Sequence, residues 1–145
     1  MGNSIYVNAS APNNQSGCQK GGIGLVVIDE NNEVVYEDSI TINGKIDCSE
    51  LKLMAFIEGL EYAEDGDAVF SDSEYCEKGY NEWLDNWKRK GWRKSDKKPV
   101  ANRALWQQVD RLRSDKYVEV FKVKAHFGNE GNERADALAM EAALD

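Results

Sequence analysis

The chain is poor in the residues that usually staple, break or anchor a fold. Its 145 residues include one histidine (His126), two prolines (Pro12 and Pro99) and three cysteines (Cys18, Cys48 and Cys76). The cysteine number is odd, the spacings are wide and no CxxC pair occurs. That excludes a disulfide framework and a cysteine zinc site, and reads as reduced thiols in a cytoplasmic protein. No apolar run approaches the ~18 residues of a membrane span. The opening Met1-Gly2-Asn3-Ser4 lacks the basic and apolar regions of an export signal. There is no Pro-rich linker, low-complexity tract or internal repeat, so the expectation is one domain over residues 1–145. With 41% hydrophobic and 30% charged residues, the chain has enough apolar material for one core.

Positive charge is scarce too, but it is concentrated. The formal net charge is −8, which on its own argues against a nucleic-acid partner. Residues 86–103 read NWKRKGWRKSDKKPVANR, with eight cations against Asp96 alone, so this window is +7 and the rest of the chain −15. All four tryptophans, Trp83, Trp87, Trp92 and Trp106, lie in or beside it. Lys and Arg neutralise phosphates, and flat rings can pack on sugars or bases. The same spacing also suits a solvated helix face with core tryptophans behind it.

The coarse pattern is β-β-β-α-β-α-α-α-β-α. Strands are expected at Ser4–Ala9, Gly22–Asp29 and Glu33–Ile42, with the first three forming an antiparallel meander. Asp47 followed by Glu50 has the form of a capping box, and Leu53, Ile57 and Leu60 recur at helical spacing to about Tyr62. A fourth strand covers Asp67–Asp72, and its helical crossover makes it parallel to its neighbour. Two short helices, Ser73–Gly79 and Asn81–Lys90, precede a helix at Asn102–Arg113, a strand at Tyr117–Lys124 and a last helix at Gly131–Leu144. This order is an α/β fold, a five-stranded mixed sheet flanked by helices.

Three acids stand where chemistry is commonly placed. Asp72 ends a strand, Glu50 opens a helix and Asp136 lies in the first half of the last helix. Each has an ordinary role as well: an N-cap for Asp72, a helix-dipole partner for Glu50, an exposed helix position for Asp136.

Their surroundings point further. The strings Cys48-Ser49-Glu50-Leu51-Lys52-Leu53-Met54-Ala55, Asp72-Ser73-Glu74-Tyr75, Gly79-Tyr80-Asn81-Glu82-Trp83-Leu84 and Trp87-Lys88-Arg89-Lys90-Gly91-Trp92-Arg93 occur in this order. They are followed by Val123-Lys124-Ala125-His126-Phe127-Gly128 and Asn132-Glu133-Arg134-Ala135-Asp136-Ala137-Leu138-Ala139. Together they resemble type 1 ribonuclease H, in the bacterial form with a basic protrusion, over nearly the whole chain. The resemblance implies the RNase H-like fold and endonucleolytic cleavage of the RNA strand of an RNA/DNA hybrid, leaving a 5′-phosphate and a 3′-hydroxyl. It implies two Mg²⁺ ions, with Mn²⁺ as a substitute, held roughly 4 Å apart around one phosphate. Glu50 and Asp72 match the acids on the leaving-group metal, and Asp136 the acid on the metal of the attacking water. His126 matches a histidine assisting proton transfer or product release. Lys88, Arg89, Lys90, Arg93 and Lys94, with Trp83 and Trp92, match the protrusion that grips the DNA strand, and Asn14 falls near the DNA-phosphate pocket. The expected partner is the hybrid, with no membrane, no protein partner and a monomeric state.

One position departs. Where the family has an Asp bridging both metals, this chain has Asn8, in Tyr6-Val7-Asn8-Ala9-Ser10. An amide is neutral and offers one oxygen. Weak metal binding and strongly reduced cleavage are expected. The chain is then either an Asp-to-Asn variant of a nuclease, introduced or natural, or a non-catalytic hybrid-binding module. Ala9 in place of Gly, and Ile46 and Asp47 in place of groove-contacting Asn-type residues, bear on fine substrate contacts.

Overall fold

β-branched and aromatic runs separated by Asn, Asp and Gly build the sheet, and the sheet positions everything else. The computed structural model describes residues 2–11, 18–124 and 130–144. The strands are β1 (Ser4–Ser10), β2 (Cys18–Ile28), β3 (Val34–Ile46), β4 (Ala68–Ser71) and β5 (Glu119–Lys122). The helices are α1 (Cys48–Tyr62), α2 (Glu74–Lys78), α3 (Leu84–Arg89), α4 (Arg103–Asp115) and α5 (Glu130–Leu144). The sheet order is β3-β2-β1-β4-β5. β1–β2 and β2–β3 are antiparallel, while β1–β4 and β4–β5 are parallel. The expected mixed sheet is therefore present, with the meander and the crossover in place.

One face of the sheet packs on α1 and the neighbouring α4. Ile5, Val7, Leu25, Val27, Phe56, Leu60, Val69 and Trp106 are buried in that core. Helix α5 covers the other face over β1, β2 and β3. Its backbone comes close enough that a methyl on Gly22 or Gly24 would lie 1.9 Å from the carbonyl oxygens of Ala139 and Ala135. Only glycine permits that approach. Ser39 Oγ and Thr41 Oγ1 donate to the carbonyls of Leu138 and Ala142, both at 2.8 Å, locking β3 to the same helix.

Side chains cap the β5 margin of the sheet. Along β5, Tyr80 OH donates to the Val118 carbonyl (2.8 Å) and Asn81 Nδ2 to the Val120 carbonyl (3.1 Å). On β3, the Asp38 carboxylate accepts from the Ser39 N–H at 2.9 Å. Helices α2 and α3, expected as separate pieces, are instead joined by a π-helical turn, Gly79–Trp83. Gly79 lies directly against the Trp106 indole, and the wider turn makes room for that ring.

Candidate active site

Parallel pairing sets the site. β1 and β4 run side by side to Val7–Ser71, and the next residues, Asn8 still within β1 and Asp72 just past β4, follow at the same end. The first turn of α1 comes to this end too. Leu51 packs on Gly21, whose neighbour Gly22 pairs with Ser10 at the close of β1. Asp47 starts that helix, accepting from the Glu50 N–H and from Ser49 Oγ, both at 2.8 Å. The Glu50 N–H bond, followed by Ser49, holds the Asp47 carboxyl below the usual range. Asp47 is thereby committed to capping, and Ile46 is buried. From the opposite face, Ala135 of α5 sits over Gly24, the partner of Asn8, and Asp136 is the next residue on that helix.

Glu50, Asp72 and Asp136 are half-buried, whereas Asn8 is buried. Asn8 is already fully engaged. Its Oδ1 accepts from the Ala9 N–H at 2.9 Å, and its Nδ2 donates to Oδ1 of Asn132 at 3.3 Å. Asn132, 1% exposed, is one turn before Asp136 on α5. It is a site residue to which sequence reasoning gave no role; its signal was the four-residue spacing to Asp136 within a quoted string.

Hard carboxylate oxygens are the right ligand type for Mg²⁺. Among the described residues, however, no group of three or more His, Cys, Asp or Glu side chains could hold a metal ion. The pairing of β1 with β4 sets positions 8 and 72 at one end of the sheet, and the acids at 50, 72 and 136 form no such group. The bridging position holds a neutral amide that is bonded elsewhere. As they stand, these residues do not fit two divalent ions, and no metal-dependent step is derived for them. His126 and Asn14 lie outside the described residues.

The basic segment leaves α3 and turns at Gly91 and Trp92, both left-handed (φ 65° and 64°). Val100 N–H returns to the Trp92 carbonyl (3.1 Å), and Arg93 bridges Pro99. Trp92 and buried Val100 pack on the core, so the cations between them project from two fixed points. Arg89, Lys90, Arg93 and Lys94 are exposed. Arg89 reaches Asn86 Oδ1 (3.0 Å), and Arg93 the Lys97 carbonyl (3.1 Å). Lys88 pairs with Asp110 at 3.3 Å. The tryptophans form a packed group: Trp106 is fully buried, with its ring 5.2 Å from Trp87, which lies 5.8 Å from half-buried Trp83.

The ribonuclease H family profile matches residues 2–144. The chain belongs to the ribonuclease H family. The chain is 39% identical to a ribonuclease H of Nitrosomonas eutropha over 124 residues, covering 81% of this chain and 75% of that protein. It is 37% identical to that of Phenylobacterium zucineum over 139 residues, 93% of this chain and 86% of that one. Among solved structures, LC9-RNase H1, described as a type 1 enzyme with the type 2 active-site motif, superposes with a TM-score of 0.82. It shares 25% identity, over 98% of this chain and 72% of that one. The ribonuclease H domain of prototype foamy virus gives 0.81 at 24% identity, covering 98% and 94%, and shows the fold. Ribonuclease H is an endoribonuclease, a hydrolase acting on the RNA strand of an RNA/DNA hybrid, and this is the activity class of the family to which the chain belongs.

Proposed function

We propose that this chain binds an RNA/DNA hybrid along its basic segment and presents the RNA strand to the end of the sheet where positions 8, 50, 72 and 136 meet. The observation that supports the reading is the parallel pairing of β1 with β4, which sets Asn8 beside the strand end that Asp72 follows, with the first turn of α1 nearby. The cations suited to phosphate contact are Arg89, Lys90, Arg93 and Lys94. Trp83 and Trp92, beside them in the chain, are half-buried.

Cleavage by this chain is reduced, because the carboxylate expected at position 8 is an amide. The test is Asn8→Asp on the full chain. Asp offers an oxygen toward Asn132, whose amide turns to donate, so the buried contact is kept. The variant gains Mg²⁺-dependent cleavage of RNA in a labelled hybrid. A folded variant that leaves the hybrid intact removes the enzyme reading.

The second reading is a hybrid-binding module without cleavage. It is favoured by the engagement of both Asn8 amide groups and by the unclustered acids. It predicts salt-dependent binding and no cleavage in either form. Half-buried Cys48 and buried Cys76 are thiols and not disulfides, which supports a reducing, cytoplasmic setting. The capped β5 margin supports a monomer. No helix of the described residues is long and apolar enough to cross a membrane.

A further inference from the structure

Helix α3 launches the basic segment, and two ion pairs join it to α4. Asp85 and Lys88 stand three residues apart on α3, and Asp110 and Arg113 stand three apart on α4, so each couple occupies one helix face. The charges match in inverse order, Asp85 with Arg113 and Lys88 with Asp110. Arg113 also donates to the Tyr80 carbonyl in the π-helical turn (2.7 Å) and lies over the Tyr80 ring (5.7 Å). The Asp110 side chain is 16% exposed. Its Oδ1 is shut off from water and makes no hydrogen bond among the described residues, leaving the Lys88 ammonium as its charge partner.

A shielded carboxylate holds a cation more firmly than a surface one, because solvent screening is reduced. Lys88 is therefore tied to α4 by its charge, although its side chain is 43% exposed. We infer that Lys88 and Asp110 form a strut that sets the direction of α3, making both positioning residues for the hybrid grip and not phosphate contacts. The inference rests on the reading that the basic segment holds the hybrid.

The experiment measures affinity of the full chain for a labelled RNA/DNA hybrid by anisotropy across a salt series without divalent ions, with circular dichroism and Tm on each variant. Asp110→Asn removes the charge at constant shape. It is expected to weaken binding about three- to tenfold while the slope of log K against log[salt] stays unchanged, since no phosphate contact is lost. The exchange Lys88→Asp with Asp110→Lys restores affinity to within about twofold. Asp85→Asn, at a carboxylate 76% exposed, keeps the fold and shows a smaller loss with the same unchanged slope. Unchanged or tighter binding by folded Asp110→Asn overturns the strut. So does a Lys88→Met slope shallower by about one, because Lys88 would then sit on a phosphate. So does failure of the exchanged pair to recover. Neutralising Lys90, Arg93 and Lys94 together must weaken binding and flatten the slope by about two to three. If it does neither, the basic segment does not hold the hybrid, and the strut falls with that reading. If it does both while Asp110→Asn is silent, only the strut falls.

Discussion

Gly79→Ala sets two physical effects against each other, and the structure says which wins. In a helical turn, Ala is normally preferred to Gly by about 0.5–1 kcal/mol, because Gly loses more backbone freedom on folding. At position 79 the new methyl would lie 2.0, 2.5 and 2.7 Å from three carbons of the Trp106 indole. Ordinary carbon contacts are about 3.5–4.0 Å, so the ring or the turn must retreat by roughly 1.5 Å. The ring has little room to do so. It is fully buried, its Nε1–H donates to Tyr75 OH at 2.8 Å, and Trp87 and Tyr75 pack against it at 5.2 and 5.4 Å. Overpacking of this kind costs about 1–3 kcal/mol, and loosening the indole hydrogen bond adds about 1 kcal/mol. After the helix preference is subtracted, the variant is destabilised by about 1–3.5 kcal/mol. At about 2–4 °C per kcal/mol, thermal unfolding followed at 222 nm shows Tm lower by roughly 2–14 °C. Trp106→Leu in the Gly79→Ala background should cost less than the sum of the single changes, because both act on one space. An unchanged or raised Tm for Gly79→Ala refutes the steric argument and leaves helix preference as the ruling effect.

Asn132→Ala strands the buried Nδ2 of Asn8, and urea unfolding should report a loss of about 1–3 kcal/mol. Asp47→Asn weakens the α1 cap. Because hydrogen bonding lowers the folded pKa of Asp47, its contribution is present above the unfolded value of about 3.9 and is lost as pH falls through the lower folded value. The stability gap between wild type and this variant should thus be open at pH 7 and close in acid; a gap independent of pH would contradict the assignment. Burial pushes the Cys76 thiol up to about 12, the largest of several influences on it. Iodoacetamide at pH 8 should modify Cys76 only after unfolding, as read by mass spectrometry, and rapid labelling in the native state would show that the site opens.

Local pattern was enough for the strand and helix order, because period-two runs such as Ser4–Ala9 and the spacing of Leu53, Ile57 and Leu60 report burial directly. It was less informative where a distant neighbour decides. Gly79 looks like a helix stop, yet the chain continues through a π-helical turn because an indole from α4 occupies the space where a side chain would be. Asn43, Gly44 and Lys45 look like the end of a strand, yet pairing with β2 carries β3 on to Ile46. The site shows the same division. Positions 8, 50, 72 and 136 are legible as a family string, but the bond of Asn8 to Asn132 joins residues 124 positions apart. Lys88 sits in a run of cations and reads as one of them; its partner Asp110 is on another helix. The tryptophans allowed two readings, and the structure shows Trp83, Trp87 and Trp106 packed in a row and Trp92 packed on the core.

The caps along β5 bear on how the protein behaves when crowded. A bare strand edge is a template for a second chain, and growth from it is the common route from a native sheet to an aggregate. Here the carbonyls of Val118 and Val120 are taken by Tyr80 and Asn81, which belong to the same π-helical turn that Arg113 braces. The turn that aims the cationic loop is also the guard of the sheet margin. If the basic segment holds the hybrid as proposed, colloidal stability and nucleic-acid affinity are coupled: a change that straightens the turn redirects the loop and uncovers the strand in one event.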